Sequence, residues 1–230
     1  IIGPWAHLPW GRKLGEIDYG QKAASSIDLI QIEWFNQFLK GVDRQISKKP
    51  PVCLFEMGSN KWRYFQKFPD YQKQYFYLQS NGLASIREDA GKLIGKLKNK
   101  RNLKARDTIV HDPWRPIPSL GGHAAIPSGS FDRSILDMRS DILTYTSPPF
   151  KKNVRIAGEI VLEIYVEADA PSFDLCAVLS VVRPDGKVYN FTQGYIRVDD
   201  RRLPIHIPLQ ATCIKIAKGN CLRVSVSTAS

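Results

Sequence analysis

The chain has 230 residues, of which 43% are hydrophobic and 24% charged, a balance ordinary for a globular protein with room for one large domain or a domain plus a smaller piece. No apolar run reaches the length of a membrane span, which argues against a membrane-spanning helix. Lys and Arg number 33 against 22 Asp and Glu, a net charge of +11, so nucleic acid or another anionic surface has to be weighed as a partner.

The chain opens on Ile1-Ile2-Gly3-Pro4-Trp5-Ala6-His7. Two β-branched residues followed by a Gly-Pro-Trp turn read as a strand that delivers an imidazole to a loop at the end of a sheet. The opening has no initiator Met, no polar lead-in and no charged start before an apolar run, so the chain is expected to be a piece of a longer polypeptide. Imidazole is the usual general base near neutral pH, and His7 is the leading catalytic candidate.

A Gly- and charge-rich stretch over 11–20 leads to a helix. Ser25-Ser26-Ile27-Asp28 reads as a capping box, and Leu29, Ile32, Phe35, Phe38 and Leu39 follow at spacings of three or four on one face. Lys40 suits the negative end of the helix dipole, and Gly41 supplies the C-terminal cap. The apolar face is expected to dock on a sheet most of which this sequence does not contain.

Lys48-Lys49-Pro50-Pro51 breaks the chain before a strand over 52–57. Beyond it the texture is of short β-type runs separated by Gly, Pro and Asp. The strands are predicted at 75–78, 108–111, 141–146, 155–167, 174–182, 187–197, 203–210 and 222–228. Arg183-Pro184-Asp185-Gly186-Lys187 predicts a hairpin turn between two of them, since Pro fixes one turn position and Gly permits positive φ at another. Eight strands with one strong helix indicate a mainly β protein, a β-sandwich of the jelly-roll kind.

Lys92, Lys96, Lys98, Lys100, Arg101, Lys104 and Arg106 form a basic cluster. It reads either as an anion-binding patch or as a solvated loop; the absence of interleaved aromatic residues for base stacking argues against single-stranded nucleic acid. Cys53, Cys176, Cys213 and Cys221 show no C-x-x-C spacing, and three lie in apolar, strand-like runs, which suits reduced structural thiols in a cytoplasmic protein and argues against a zinc site. Asn190-Phe191-Thr192 matches the glycosylation sequon without a secretory signal beside it. His111 and His206 fall in strand-like runs. His123 follows Gly121-Gly122, which indicate a tight turn and leave open that the ring lines a pocket. The G-x-S-x-G elbow that presents a nucleophilic serine does not occur in this sequence.

Gly3-Pro4-Trp5-Ala6-His7 resembles the histidine motif of the cocaine esterase and X-Pro dipeptidyl-peptidase group of α/β serine hydrolases. The likeness continues through 34–41 (WFNQFLKG), 55–63 (FEMGSNKWR), 111–122 (HDPWRPIPSLGG), 137–147 (DMRSDILTYTS), 181–186 (VVRPDG) and 219–223 (GNCLR), in the family's order over nearly the whole chain. The last block departs from the family in carrying Asn220 where His is common, and the stretch from Arg197 to Leu203 is shorter than the family pattern.

The resemblance implies a C-terminal remnant of an α/β-hydrolase core over 1–70, then a jelly-roll β-sandwich similar to galactose-binding domains over 71–230, incomplete at its C-terminal end. His7 would be the triad base, with the Ser nucleophile and the Asp both preceding residue 1, because the order in such folds is Ser, acid, His. It implies no metal and no organic cofactor, and a small ester, amide or peptide as substrate. The chain alone would be inactive, and an exposed core remnant would favour homo-oligomers. Two other readings stand beside it: a non-catalytic β-sandwich binding module for carbohydrate or another polar ligand, and a nucleic-acid binder built on the basic cluster. Trp62 and Arg63 could face a domain junction, with packing as the simpler role.

Overall fold

The computed structural model describes residues 1–7, 10–69, 72–96, 105–124, 126–199 and 202–228. Twelve strands and one α-helix are assigned among them. The chain starts with a small hairpin, β1 (Lys13–Leu14) and β2 (Ile17–Asp18), and continues into α1 (Ile27–Lys40). A second hairpin pairs β3 (Val52–Glu56) with β4 (Lys61–Phe65). Ile2 bonds in parallel to Leu54 of β3, so the opening residues form the strand-like edge that the sequence predicts.

The larger part of the protein is two layers of strands. One is a six-stranded sheet in the order β10-β9-β12-β7-β6-β5, formed by β5 (Tyr77–Gln79), β6 (Lys92–Ile94), β7 (Leu143–Thr146), β9 (Phe173–Val182), β10 (Val188–Val198) and β12 (Cys221–Ser227). Its pairs are antiparallel except β6 with β7. The other is the antiparallel pair of β8 (Val154–Ile164) and β11 (Ile205–Ile216). A single core joins the layers, with Leu175, Ala177 and Leu179 from β9, Val224 and Val226 from β12, and Ile205, Ile207, Ile214 and Ile216 from β11.

Period-two alternation explains the core faces, since successive side chains of a strand point to opposite sides. In β11, Ile205, Ile207 and Leu209 are buried while His206, Pro208 and Gln210 are exposed. The register slips between Leu209 and Thr212, and from there the even positions Thr212, Ile214 and Ile216 face inward. A bulge of this kind changes the phase of a strand without breaking its pairing. The Arg183–Lys187 turn joins β9 to β10 as predicted, with Gly186 at φ 85° and the Arg183 amide bonded to the Lys187 carbonyl at 2.8 Å.

Several expectations are corrected. Residues 108–111 form no strand, and His111 lies exposed on an irregular segment where its Nδ1 meets the Thr228 hydroxyl at 3.0 Å. The capping box is not made: Ser26 is the N-cap without a side-chain bond, and the Ser25 hydroxyl accepts from the Ile27 amide instead. Gly41 does cap α1 in the left-handed conformation. No residue of α1 is buried, and Leu29, Ile32, Phe35, Phe38 and Leu39 are all at least half exposed. Of the basic cluster, Lys98, Lys100, Arg101 and Lys104 lie outside the described residues; Lys92 opens β6 and Arg106 pairs with Glu167 at the surface. No described helix is long and apolar enough to cross a membrane. All four cysteines are free, and Cys53, Cys176 and Cys213 are buried, where burial pushes the Cys213 thiol up to about 11.

Two buried charged clusters tie neighbouring segments to the sheets. Arg223 on β12 is 3% exposed and reaches Asp137 at 3.4 Å, Glu88 at 2.7 Å and the Thr146 hydroxyl at 2.8 Å. Burial pushes the Asp137 carboxyl above its usual range against the pull of Arg133, Arg223 and Ser225. We expect Arg223→Met to destabilise the fold by about 3 kcal/mol, because it takes one of two guanidiniums from the buried Asp137 carboxyl and leaves it Arg133 and Ser225 alone, and urea unfolding measures this directly.

Glu56, at the end of β3, is 3% exposed and meets Arg63 at 2.8 Å and Arg155 of β8 at 3.1 Å. Burial raises its carboxyl, but the Ser59 hydroxyl and the two guanidiniums outweigh it and leave the pKa lowered. A lowered folded pKa gives stability that is present above the unfolded value and lost as pH falls through the folded one. Glu56→Gln is therefore expected to cost about 1–2 kcal/mol at pH 7, discounted for the exposed arginines, with the deficit closing as pH falls below about 4. Thermal melts of both proteins across pH 3–7 check it.

Candidate functional site

The site forms where the opening residues meet the two-layered β domain. Trp62 lies between Trp5 and Phe55, tilted against the first with ring centroids 5.8 Å apart and edge-on to the second at 5.2 Å. Both indoles also donate to backbone, Trp5 to the Ala23 carbonyl and Trp62 to that of Lys22. Trp62 and Arg63 thus pack at the junction. Around them Ala6, Leu14, Tyr19, Ala23 and Phe55 make a second small core. Burial pushes the Tyr19 phenol up to about 12, so it stays a neutral hydroxyl. Met57 touches both cores, and its backbone exchanges bonds with β11 through Cys213 and Lys215.

The second attachment is the loop from Gly121 to Phe131. Gly122 and Gly129 exchange amide–carbonyl bonds at 2.8 and 2.7 Å and close its base. Asn190, buried on β10 beside that strand's own bulge, accepts from the Phe131 amide and donates to the Gly129 carbonyl. The sequon asparagine is thus a buried internal fastener. The loop then grips the opening segment: the His7 amide donates to the His123 carbonyl at 2.8 Å, and the Glu16 amide to the Ser130 carbonyl at 2.9 Å. Gly129 and Gly15 lie backbone against backbone, and a Cβ on either would sit on atoms of Leu14–Gly15 or of Ser130.

His7 is held by its backbone on both sides, since its carbonyl accepts from the Trp10 indole at 2.9 Å. The imidazole itself is exposed, and no described carboxylate or hydroxyl meets it. A triad base needs an acid on one ring nitrogen and a nucleophile on the other, and among the described residues neither nitrogen has such a partner. The other histidines stay apart from it chemically. His206 pairs with Glu163 across β8 and β11 at 3.4 Å on the outer face, and His111 lies on its own segment. His123 both makes the predicted turn and lines a pocket.

That pocket has a volume of about 390 Å³ and lies behind the His7 loop. Gly3 to Ala6, Phe55 and Phe191 contribute apolar wall; Tyr19, His123, Gln193, Gln210 and Thr212 contribute polar groups. Among the described residues no Asp, Glu, Lys or Arg lines it. Among the described residues there is no group of three or more His, Cys, Asp or Glu that could hold a metal ion.

Trp10, His123 and Gln210 are contacts that sequence reasoning missed. For Gln210 a signal existed: the apolar parity of Ile205, Ile207 and Leu209 fails at Ile214 and Ile216, which marks a bulge between them.

Over residues 45–230 the chain matches the X-Pro dipeptidyl-peptidase C-terminal non-catalytic domain, and it belongs to that family. His7 lies outside the matched stretch. The chain is 27% identical over 206 residues to the cocaine esterase of Rhodococcus sp. (strain MB1 Bresler), covering 86% of itself and 35% of that protein. Two solved structures share its fold with TM-scores of 0.77: an aminopeptidase from a marine sediment archaeon, 22% identical, and an α-amino acid ester hydrolase, 19% identical. Each is matched over 99% of this chain and about two fifths (41% and 42%) of its own. The chain therefore spans roughly a third to two fifths of the proteins it resembles.

Gly129→Ala is expected to cost more than about 2 kcal/mol, since it combines a forbidden φ with a collision against backbone that cannot turn aside. Gly186→Ala, at positive φ but with nothing near its Cβ, is expected to cost about 1 kcal/mol. Denaturant unfolding of the two variants separates strain from collision.

Proposed function

We propose that this chain is the C-terminal part of a serine hydrolase of the X-Pro dipeptidyl-peptidase or cocaine esterase type, which cleaves an ester or amide through an acyl-enzyme. Residues 1–70 complete an α/β-hydrolase core, and residues 71–230 are a jelly-roll β-sandwich of the galactose-binding kind. His7 is the general base. It takes the proton from the serine as the hydroxyl attacks the carbonyl, and returns it to the leaving group; a second cycle with water releases the acid. The serine and aspartate come from chain preceding Ile1.

The observation that carries this reading is the presentation of His7. Its backbone is fixed through both amide and carbonyl while its imidazole is left open, as a base awaiting two partners would be. The uncovered apolar face of α1 supports the same reading, because a core sheet would bury it. A neutral-lined pocket of about 390 Å³ favours a second reading, a binding module for an uncharged polar ligand such as a carbohydrate.

A fluorophosphonate probe tests the choice. The complete gene product is expected to label on a serine preceding Ile1, its His7→Ala variant to lose labelling, and residues 1–230 alone to show none. Loss of a triad member costs on the order of 10⁶ in turnover, so the isolated chain is expected to hydrolyse no ester or peptide measurably. Equal labelling with and without His7, or turnover by the isolated chain, contradicts the proposal and brings the binding module forward.

A further inference from the structure

The β11 bulge has a consequence at the His7 loop. It places Gln210 and Ala211 on the exposed side of the strand, where an unbroken alternation would turn residue 211 inward. The Gln210 carbonyl accepts from the buried Thr192 hydroxyl at 2.6 Å, which fastens this backbone to β10. From there the Gln210 side chain reaches His123, with Nε2 2.7 Å from the ring Nδ1. An amide nitrogen only donates, so Nδ1 is the acceptor and the neutral ring carries its proton on Nε2. The carbonyl of the same His123 accepts from the His7 amide.

We propose that Gln210 and His123 are positioning residues for His7, a relay from the β domain that fixes where the base stands. This rests on His7 being the general base. Gln210 and His123 are both exposed, so their bond adds no more than about 1 kcal/mol to the fold. Catalysis is more demanding than folding here: a displacement near 1 Å of a reacting group costs up to about 10²-fold in rate. The base of the loop is held independently by the Gly122–Gly129 bonds and Asn190. His123 is the first residue beyond that base, and its side chain takes a further tie to the β domain from Gln210. A relay of this kind gives a non-catalytic domain a part in turnover without touching substrate.

The test uses the complete hydrolase with Gln210→Leu, His123→Ala, the double variant and a His7→Ala control, assayed on p-nitrophenyl acetate. Each single variant is expected to lower kcat about tenfold, with KM within about twofold and the melting temperature within about 2 °C. The double variant is expected to be no worse than either single one, because the two side chains act as one link. Residues that only shaped the surface would show independent, multiplying effects or none. Singles within twofold of wild type, or losses that multiply, overturn the relay. An inactive His7→Ala beside normal Gln210→Leu sinks the relay alone. A His7→Ala protein with wild-type turnover removes the base assignment and the relay with it.

Discussion

Two backbones press together with no side chain between them where Gly129 of the 121–131 loop meets Gly15 of the first hairpin. The contact exists only because both positions lack a Cβ, and Gly15 and Gly129 sit at φ 61° and 113°, which glycine favours. From it follow the Glu16–Ser130 bond, the location of Leu14 in the small core, and the reach of His123 to His7. Without this close approach the opening segment would keep its bond to β3 but lose its second anchor. Two anchors fix an orientation where one leaves a hinge.

Local irregularity in the sheets serves the same junction. The bulges of β10 and β11 both lie beside the 121–131 loop. The first leaves Asn190 facing the loop backbone, and the second leaves Gln210 facing His123. Away from the junction the strands are regular, and fixed charges hold them. Asp137 and Arg223, which belong to two separate family-like blocks of sequence, meet in the interior and tie the covering segment to β12. Glu56 with Arg63 and Arg155 does the same between β3, β4 and β8.

Much of this was legible in the residues. β-type runs separated by Gly, Pro and Asp found β7 to β10 and β12 to within a few positions, and Pro184 with Gly186 found the turn between β9 and β10. The mainly β character followed from those strands. What escaped depends on contacts distant in sequence. The strand over 108–111 failed because Thr108 to His111 gain no partner strand, whatever their propensity. The strand β4 was missed because its Trp-Arg-Tyr-Phe run is defined by pairing with β3. The prediction of β11 stopped at Gln210 because the bulge reverses the alternation there. Helix α1 was found by its spacing and its Gly41 cap, whereas its burial could not follow from one face alone. At the site, the Gly3–His7 turn and its imidazole were legible, but the grip of His123 and Trp10 on that histidine, and the bond from Gln210 to His123, were not. Those links join residues 3 to 116 positions apart, and the two that reach His7 end on its backbone atoms, which carry no residue-specific mark in the sequence.

The central claim is that the histidine segment and the β domain are one mechanical unit. Amide hydrogen exchange of this chain tests it most directly, read at the His7 and Glu16 amides that donate into the 121–131 loop. The account predicts protection comparable to the amides of β10 and β11, because opening those bonds requires the junction to come apart. Exchange of His7 and Glu16 orders of magnitude faster than the strands, at the rate of a free terminus, would contradict it.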